Sequence, residues 1–334
     1  MSTLNFMRTF WGALAGSALV LALVVRVFLM PSWRDRIPML DFPFPGWAYV
    51  SAYRDGEIDH HLFRFGLFGF GGRIRNADVL IIGSSHPQLG LSAAKIASEF
   101  VHPENRPVAV FNMGLGYGEG SAFVRDILEA NEVTRSMVVI DLFSPHGDGV
   151  SPFGQTVQQL SAAQAYQRVG QMWAVFLRDW LTDALLVRVR FTMADGLSLE
   201  RAMSRVLIRD WNNGDVIDIW TPQMGSRFQN PAAGTVHPLL LAPTRADDIS
   251  IPRATIDFLA ERAMTPYAVL IPYPEGNPSI AAARANAAGI PFVAILPTGL
   301  DYYDRDHVTA AGRELATDRF VAEIAKLMAS SPGR

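Results

Sequence analysis

The stretch Ala77-Asp78-Val79-Leu80-Ile81-Ile82-Gly83-Ser84-Ser85-His86 decides how this chain is read. A short apolar, partly β-branched run that ends on glycine has the form of a buried strand, and a helical stretch from about Ser92 to Phe100 follows it. PVAVFNMG (107–114) and SMVVIDLF (136–143) repeat the form, the first followed by a helical segment near Ser121 to Ala130. Toward the C-terminus, YAVLIPYP (267–274) and PFVAILP (291–297) lie on either side of the helical SIAAARANAAG (279–289), and a last helix is expected from about Thr309 to Met328. Continuous apolar strands separated by helices belong to a parallel sheet buried on both faces. The expected fold class is therefore α/β, with a five-stranded parallel sheet sandwiched by helices in three layers.

Outward from this core, the chain divides by composition. Residues 1–8 form an N-terminal tail, and 9–31 read as a transmembrane anchor. Phe10 to Val25 carries no charge, and with Arg26 to Met30 it makes a helix of roughly 30 Å at about 1.5 Å per residue. Pro31 stops it, Trp11 and Trp33 fit the interfaces, and the residues after the apolar run lack the small-x-small pattern of a cleavage site. Residues 32–76, rich in Pro, Gly and aromatics, suit a loop-rich juxtamembrane collar. The core itself spans 77–145 plus 262–330, interrupted by an insertion over 146–261 that reads as mainly helical. In that insertion Val169, Met172, Trp173, Phe176, Leu177, Trp180, Leu181 and Ala184 make one apolar stripe at helical spacing. Such a stripe is more often core than interface, although its two tryptophans also suit a bilayer or a membrane partner.

At 334 residues and 49% hydrophobic composition the chain can bury a sizeable core. Its net charge of -3, with both signs mixed along the chain, excludes the clustered basic face that nucleic acid requires. The absence of cysteine removes disulfides, thiolate catalysis and Cys-type zinc sites.

Ligands of open parallel sheets bind outside the C-terminal strand ends, so polar residues placed there carry the chemistry. Gly83-Ser84-Ser85-His86 follows the first strand, Asn112 to Gly118 the second, and Asp304-Arg305-Asp306-His307 precedes the last helix. A serine hydroxyl needs a base within hydrogen-bond reach, and that base needs a group that sets its tautomer. Ser85, His307 and Asp304 can fill those roles, with backbone N–H groups of Ser85 and of Gly116 or Gly118 facing a developing oxyanion. His86, Asn112, Asp141, His146 and Asp148 are candidate pocket residues. No metal site or cofactor is expected. Asp301, Asp304, Asp306 and His307 supply too few converging ligands, and Asp59-His60-His61 reads as surface or collar structure.

These blocks, in this order, resemble the SGNH (GDSL-like) hydrolase superfamily. Gly83-Ser84-Ser85 matches its Gly-Asp-Ser block, Gly116 its oxyanion glycine after the second strand, and Asp304 with His307 its Asp-x-x-His before the final helix. The resemblance covers roughly residues 77–145 and 262–330. It departs at the third block, where the family supplies an Asn side chain to the oxyanion hole and DLFSPHGDG offers Asp141, His146 and Asp148 instead. An ionised Asp cannot donate, and loss of one such donor costs about 2.7 to 4 kcal/mol elsewhere.

The resemblance implies a serine esterase or O-acyltransferase. A single anchor on such a domain is similar to the SGNH proteins that act beside multi-spanning membrane O-acyltransferases to acylate cell-surface polysaccharides, with the domain facing outward. Partners implied are an acyl donor, a glycan acceptor and such a membrane protein. Arginine counting points the other way, with Arg8 on one side of the anchor against Arg26, Arg34 and Arg36 on the other. The expected placement is the cytoplasmic membrane with the domain periplasmic or extracytoplasmic. The competing reading is a weak or inactive SGNH-like scaffold or glycan-binding subunit.

Overall fold

A computed structural model describes residues 48–53, 56–100, 104–116, 118–142, 147–193, 206–220, 252–273, 277–302 and 307–330. The expected anchor lies outside them, and no helix among the described residues is long and apolar enough to cross a membrane. The chain divides into two compact units, Met1–Gly46 with Leu181–Asp195 and Trp47–Trp180 with Gly196–Arg334. Of the first, the described part is the backbone of 181–193, the end of a long helix. Everything below concerns the second.

The core strands are β3 (Val79–Ile82), β4 (Val110–Asn112), β5 (Met137–Asp141), β8 (Thr265–Leu270) and β9 (Phe292–Ala294). They form a five-stranded sheet in the order β4-β3-β5-β8-β9, and every pairing is parallel. Alternation along β3 explains why this run is apolar throughout. Val79 and Ile81 enter one core with Ile96, Ala316, Phe320 and Ile324, while Leu80 and Ile82 enter another with Phe111, Phe123, Ile127 and Val138. Helices therefore cover both faces. The first core is closed by α4 (Ala93–Glu99) and α10 (Ala310–Ser330), the second by α5 (Ser121–Ala130), which buries Phe123, Val124, Ile127 and Leu128 at helical spacing. Helix α9 (Pro278–Ala287) opens with Asn277 accepting from the N–H groups of Ser279 and Ile280 and packs Ala281 and Ala285 beside β8.

A second sheet, read neither in the collar nor in the insertion, joins the two. Strands β1 (Ala48–Tyr53), β2 (Gly56–Glu57), β6 (Val206–Asp210) and β7 (Val216–Trp220) form an antiparallel sheet in the order β2-β1-β6-β7. The collar also supplies the short helices α1 (Asp59–Arg64) and α2 (Phe70–Arg75), and Leu62, Phe63, Phe70 and Ile74 enter the core of the large sheet. The insertion is helical at α6 (Pro152–Gln158), α7 (Ala162–Met193) and α8 (Arg253–Glu261), with the β6–β7 hairpin between the last two. On α7 the apolar stripe resolves as core where its side chains are described. Val169 and Phe176 are buried, Met172 and Trp173 pack partly against the core, and Leu177 is exposed.

Candidate active site

The strand order places a topological switch point between β3 and β5. From β3 the chain crosses to β4 on one side and then returns to β5 on the other, opening a crevice at the C-terminal ends of these strands. Ser85 stands there, as the first residue of helix α3 (Ser85–Gly90). The turn that carries it is tight. Gly83 has φ +142°, and a Cβ on it would come within 2.8 Å of the Asp141 Cβ and 3.0 Å of the Pro87 Cγ. Ser84 caps α3, its hydroxyl accepting from the His86 N–H at 3.3 Å.

His307 reaches Ser85 from the other end of the chain, with its Nε2 2.8 Å from the Ser85 Oγ. Both residues are half-buried. The histidine is held by pairing on both sides of its loop. Tyr302 bridges Val308 in antiparallel fashion, and the Thr309 N–H donates to the Asp301 carbonyl at 2.8 Å. Tyr302 is in turn anchored by its hydroxyl, which donates to the Pro272 carbonyl at 3.2 Å, and burial pushes that phenol up to about 12. Asp304, expected to orient His307, belongs to the segment 303–306 and lies outside the described residues, as do Asp306 and His146.

The other candidates have separate placements. His86 is buried beside the pair. Its ring stacks on Tyr273 at 4.7 Å and 9°, and its centroid lies 5.4 Å from that of His307. Asp141, the last residue of β5, lies against the Gly83-Ser84 turn. Its carboxylate accepts from the Ser84 hydroxyl at 3.4 Å and lies 3.9 Å from the His86 Nδ1. Asn112 is structural. Its side-chain N–H groups donate to the Pro87 and Leu91 carbonyls at 2.9 and 3.0 Å, and its Oδ1 accepts from Gly114, which straps α3 to the end of β4. Asp148 is exposed and tied to Ser121 and Arg125, so it fastens a loop to the start of α5.

The amides after β4 are already engaged. Met113 donates to the Ile81 carbonyl, Leu115 to the Gly83 carbonyl, and Gly116, the expected oxyanion donor, to the buried Glu57 Oε1 at 3.1 Å. A Cβ on Gly116 would fall 2.2 Å from the Glu57 Oε2, so the carboxylate lies directly against this backbone. Gly118 has φ +60°, a left-handed turn conformation. The Ser85 N–H, at the first position of α3, has no partner within its own helix by helix geometry.

Glu57 belongs to a buried polar network around the site that the sequence reading did not single out. The Gln88 side-chain N–H donates to Glu57 Oε1 at 3.1 Å. The His60 Nδ1 lies 3.8 Å from Glu57 Oε2 and its Nε2 3.2 Å from Glu119 Oε2. Burial pushes the Glu119 carboxyl up, but hydrogen bonds from His60 and Ser151 outweigh this and hold it below its usual range. Nearby, Arg209 of β6 is fully buried and pairs with Asp59 at 2.6 Å. Its other donors go to the carbonyls of Gly114 at 2.9 Å, Gly214 at 2.6 Å and Asn112. Burial opposes the Arg209 charge, and Asp59 more than restores it, raising the guanidinium above its ordinary value. Asp59 also accepts from the hydroxyls of Tyr49 and Ser51 at 3.0 and 2.6 Å.

Asp59, His60 and His61 are thus buried, a correction to their reading as surface or collar structure: Asp59 pairs with Arg209, His60 with Glu119, and Leu62 and Phe63 carry α1 into the core of the large sheet. The signal for Arg209 was present, a lone arginine in the apolar run VLIRDW (206–211), whereas nothing marks Glu57. Among the described residues no cluster of three or more His, Cys, Asp or Glu side chains could hold a metal ion. Comparison with protein-family models, with curated proteins and with solved structures finds no match.

Proposed function

We propose that this chain is a serine acyl-transfer enzyme of SGNH type, an esterase or O-acyltransferase acting on O-acyl groups of a cell-surface polysaccharide. The observation that carries the reading is the 2.8 Å contact between Ser85 Oγ and His307 Nε2 at the sheet's switch point. In the reaction, Ser85 Oγ attacks the acyl carbonyl carbon while His307 Nε2 takes its proton. The tetrahedral oxyanion lies toward the Ser85 N–H. Collapse breaks the ester bond, and His307 returns the proton to the departing alcohol. Water or a sugar hydroxyl, deprotonated by His307, then attacks the acyl-serine and frees Ser85. Asp304 has the role of fixing the His307 tautomer.

Residues 9–31 anchor the enzyme in the cytoplasmic membrane, the catalytic domain faces the periplasm or exterior, and a multi-spanning O-acyltransferase is its partner in the same membrane. A second reading, a weakly active or inactive scaffold or glycan-binding subunit, is favoured by the engagement of the Gly116 amide with Glu57. The two separate on full-length protein in detergent offered an activated acetyl ester. Acetate release that Ser85→Ala abolishes supports the enzyme. A folded protein that releases none supports the scaffold.

A further inference from the structure

The loop after β4 is held from the second sheet by groups of both polarities. Glu57, from β2, accepts the Gly116 amide, and Arg209, from β6, donates to the carbonyls of Asn112 and Gly114. The turn of the β6–β7 hairpin adds a backbone contact, the Asn213 carbonyl accepting from the Asn112 N–H at 2.7 Å. The same Glu57 oxygen that accepts Gly116 also accepts from Gln88, one helical turn beyond Ser85 on α3. One buried carboxylate thereby joins the nucleophile's helix to the loop that borders it.

We propose that Glu57 is a positioning residue for Ser85, fixing helix α3 and the 113–116 loop relative to one another through a single shared acceptor oxygen; this rests on the acyl-transfer reading above. A buried carboxylate with two N–H donors on one oxygen sets both donors' directions at once. Arg209 holds the loop's carbonyls at Asn112 and Gly114, so the loop cannot rotate to offer a different amide without breaking these contacts as well as that to Glu57. In this arrangement Gly116 belongs to the scaffold of the site, and the second sheet acts as its support.

The test uses the full-length protein in detergent and compares Glu57→Ala, Glu57→Gln and Gln88→Leu. The readouts are steady-state turnover of an activated acetyl ester and hydrogen exchange of the peptides covering 110–120. Glu57→Ala should lower kcat by about tenfold to a hundredfold with KM nearly unchanged, the scale expected when a support residue lets reacting groups drift. It should also speed exchange at the loop. Glu57→Gln keeps the acceptor oxygen and should restore most of kcat and of the protection. Gln88→Leu severs only the link to α3 and should lower kcat while leaving loop exchange close to wild type, which decides the matter if Glu57→Ala does not fold. Unchanged or raised kcat in Glu57→Ala would overturn the proposal, as would a Glu57→Gln protein as slow as Glu57→Ala. Wild-type protein without any turnover would sink the acyl-transfer reading, and loop exchange alone would then decide whether Glu57 fixes the loop.

Discussion

Ser85 and, from the far end of the chain, Tyr302 and His307 owe their positions to ordinary backbone devices. Ser85 is carried by a glycine turn, His307 by a paired loop and Tyr302 by one hydrogen bond to a carbonyl. Ser85 was legible as a polar residue after an apolar run, and His307 as one in the polar stretch before the last helix. The buried partners were not, because Asp59 meets Arg209 and His60 meets Glu119 only across segments that lie far apart in the chain. His61, in the same buried region, gives a prediction at this scale. Burial, and then the neighbouring His60, hold its imidazole down at about 4 against an ordinary 6.5. Between those values the unfolded chain binds a proton that the folded one refuses, so stability is full above pH 6.5 and is lost as pH falls toward 4. Urea denaturation at pH 7 and pH 4.5 should show a loss on the order of 2 kcal/mol from this residue, absent in His61→Gln. An equal pH dependence in wild type and variant would remove His61 as its source.

Among elements, the five core strands and the helices α4, α5, α9 and α10 fall where the apolar runs and helical segments place them, and the parallel order follows. The small sheet escaped notice for a physical reason. β6 carries a charged arginine and the sheet's register shifts twice, so neither alternation nor a continuous apolar run stands out. The collar read as loop because its glycines are frequent. Gly66 and Gly69 do take positive φ, but between and beside them the chain makes short helices that bury Phe63 and Phe70. The strap between β4 and α3 is the testable element contact. Asn112→Ala leaves the buried carbonyls of Pro87 and Leu91 without their donor and the Gly114 amide without its acceptor. Thermal or urea unfolding should register about 2 kcal/mol or more of lost stability, and a variant within about 0.5 kcal/mol of wild type would show the strap to be dispensable.

For the whole molecule, the two halves of the core, separated by a long insertion, meet at one crevice, and the insertion together with the collar builds the support beneath it. This division explains why the candidate pair of Ser85 and His307 was readable while the surroundings of the expected oxyanion site were not. The candidate nucleophile and base lie beside an apolar run and a final helix that announce themselves, whereas the Gly116 amide takes its direction from Glu57 of the other sheet. The expectation of Gly116 as a donor came from its place after the second strand, and its N–H turns instead to Glu57. In the proposed reaction Ser85 is a nucleophile activated by His307. Full-length protein treated with a fluorophosphonate and mapped by peptide mass spectrometry measures this directly. The predicted result is one adduct, on Ser85, lost in Ser85→Ala and slowed at least about a hundredfold in His307→Ala, the scale of general-base assistance. A folded wild-type protein that takes no adduct, or takes one at another residue with Ser85→Ala unaffected, would contradict it.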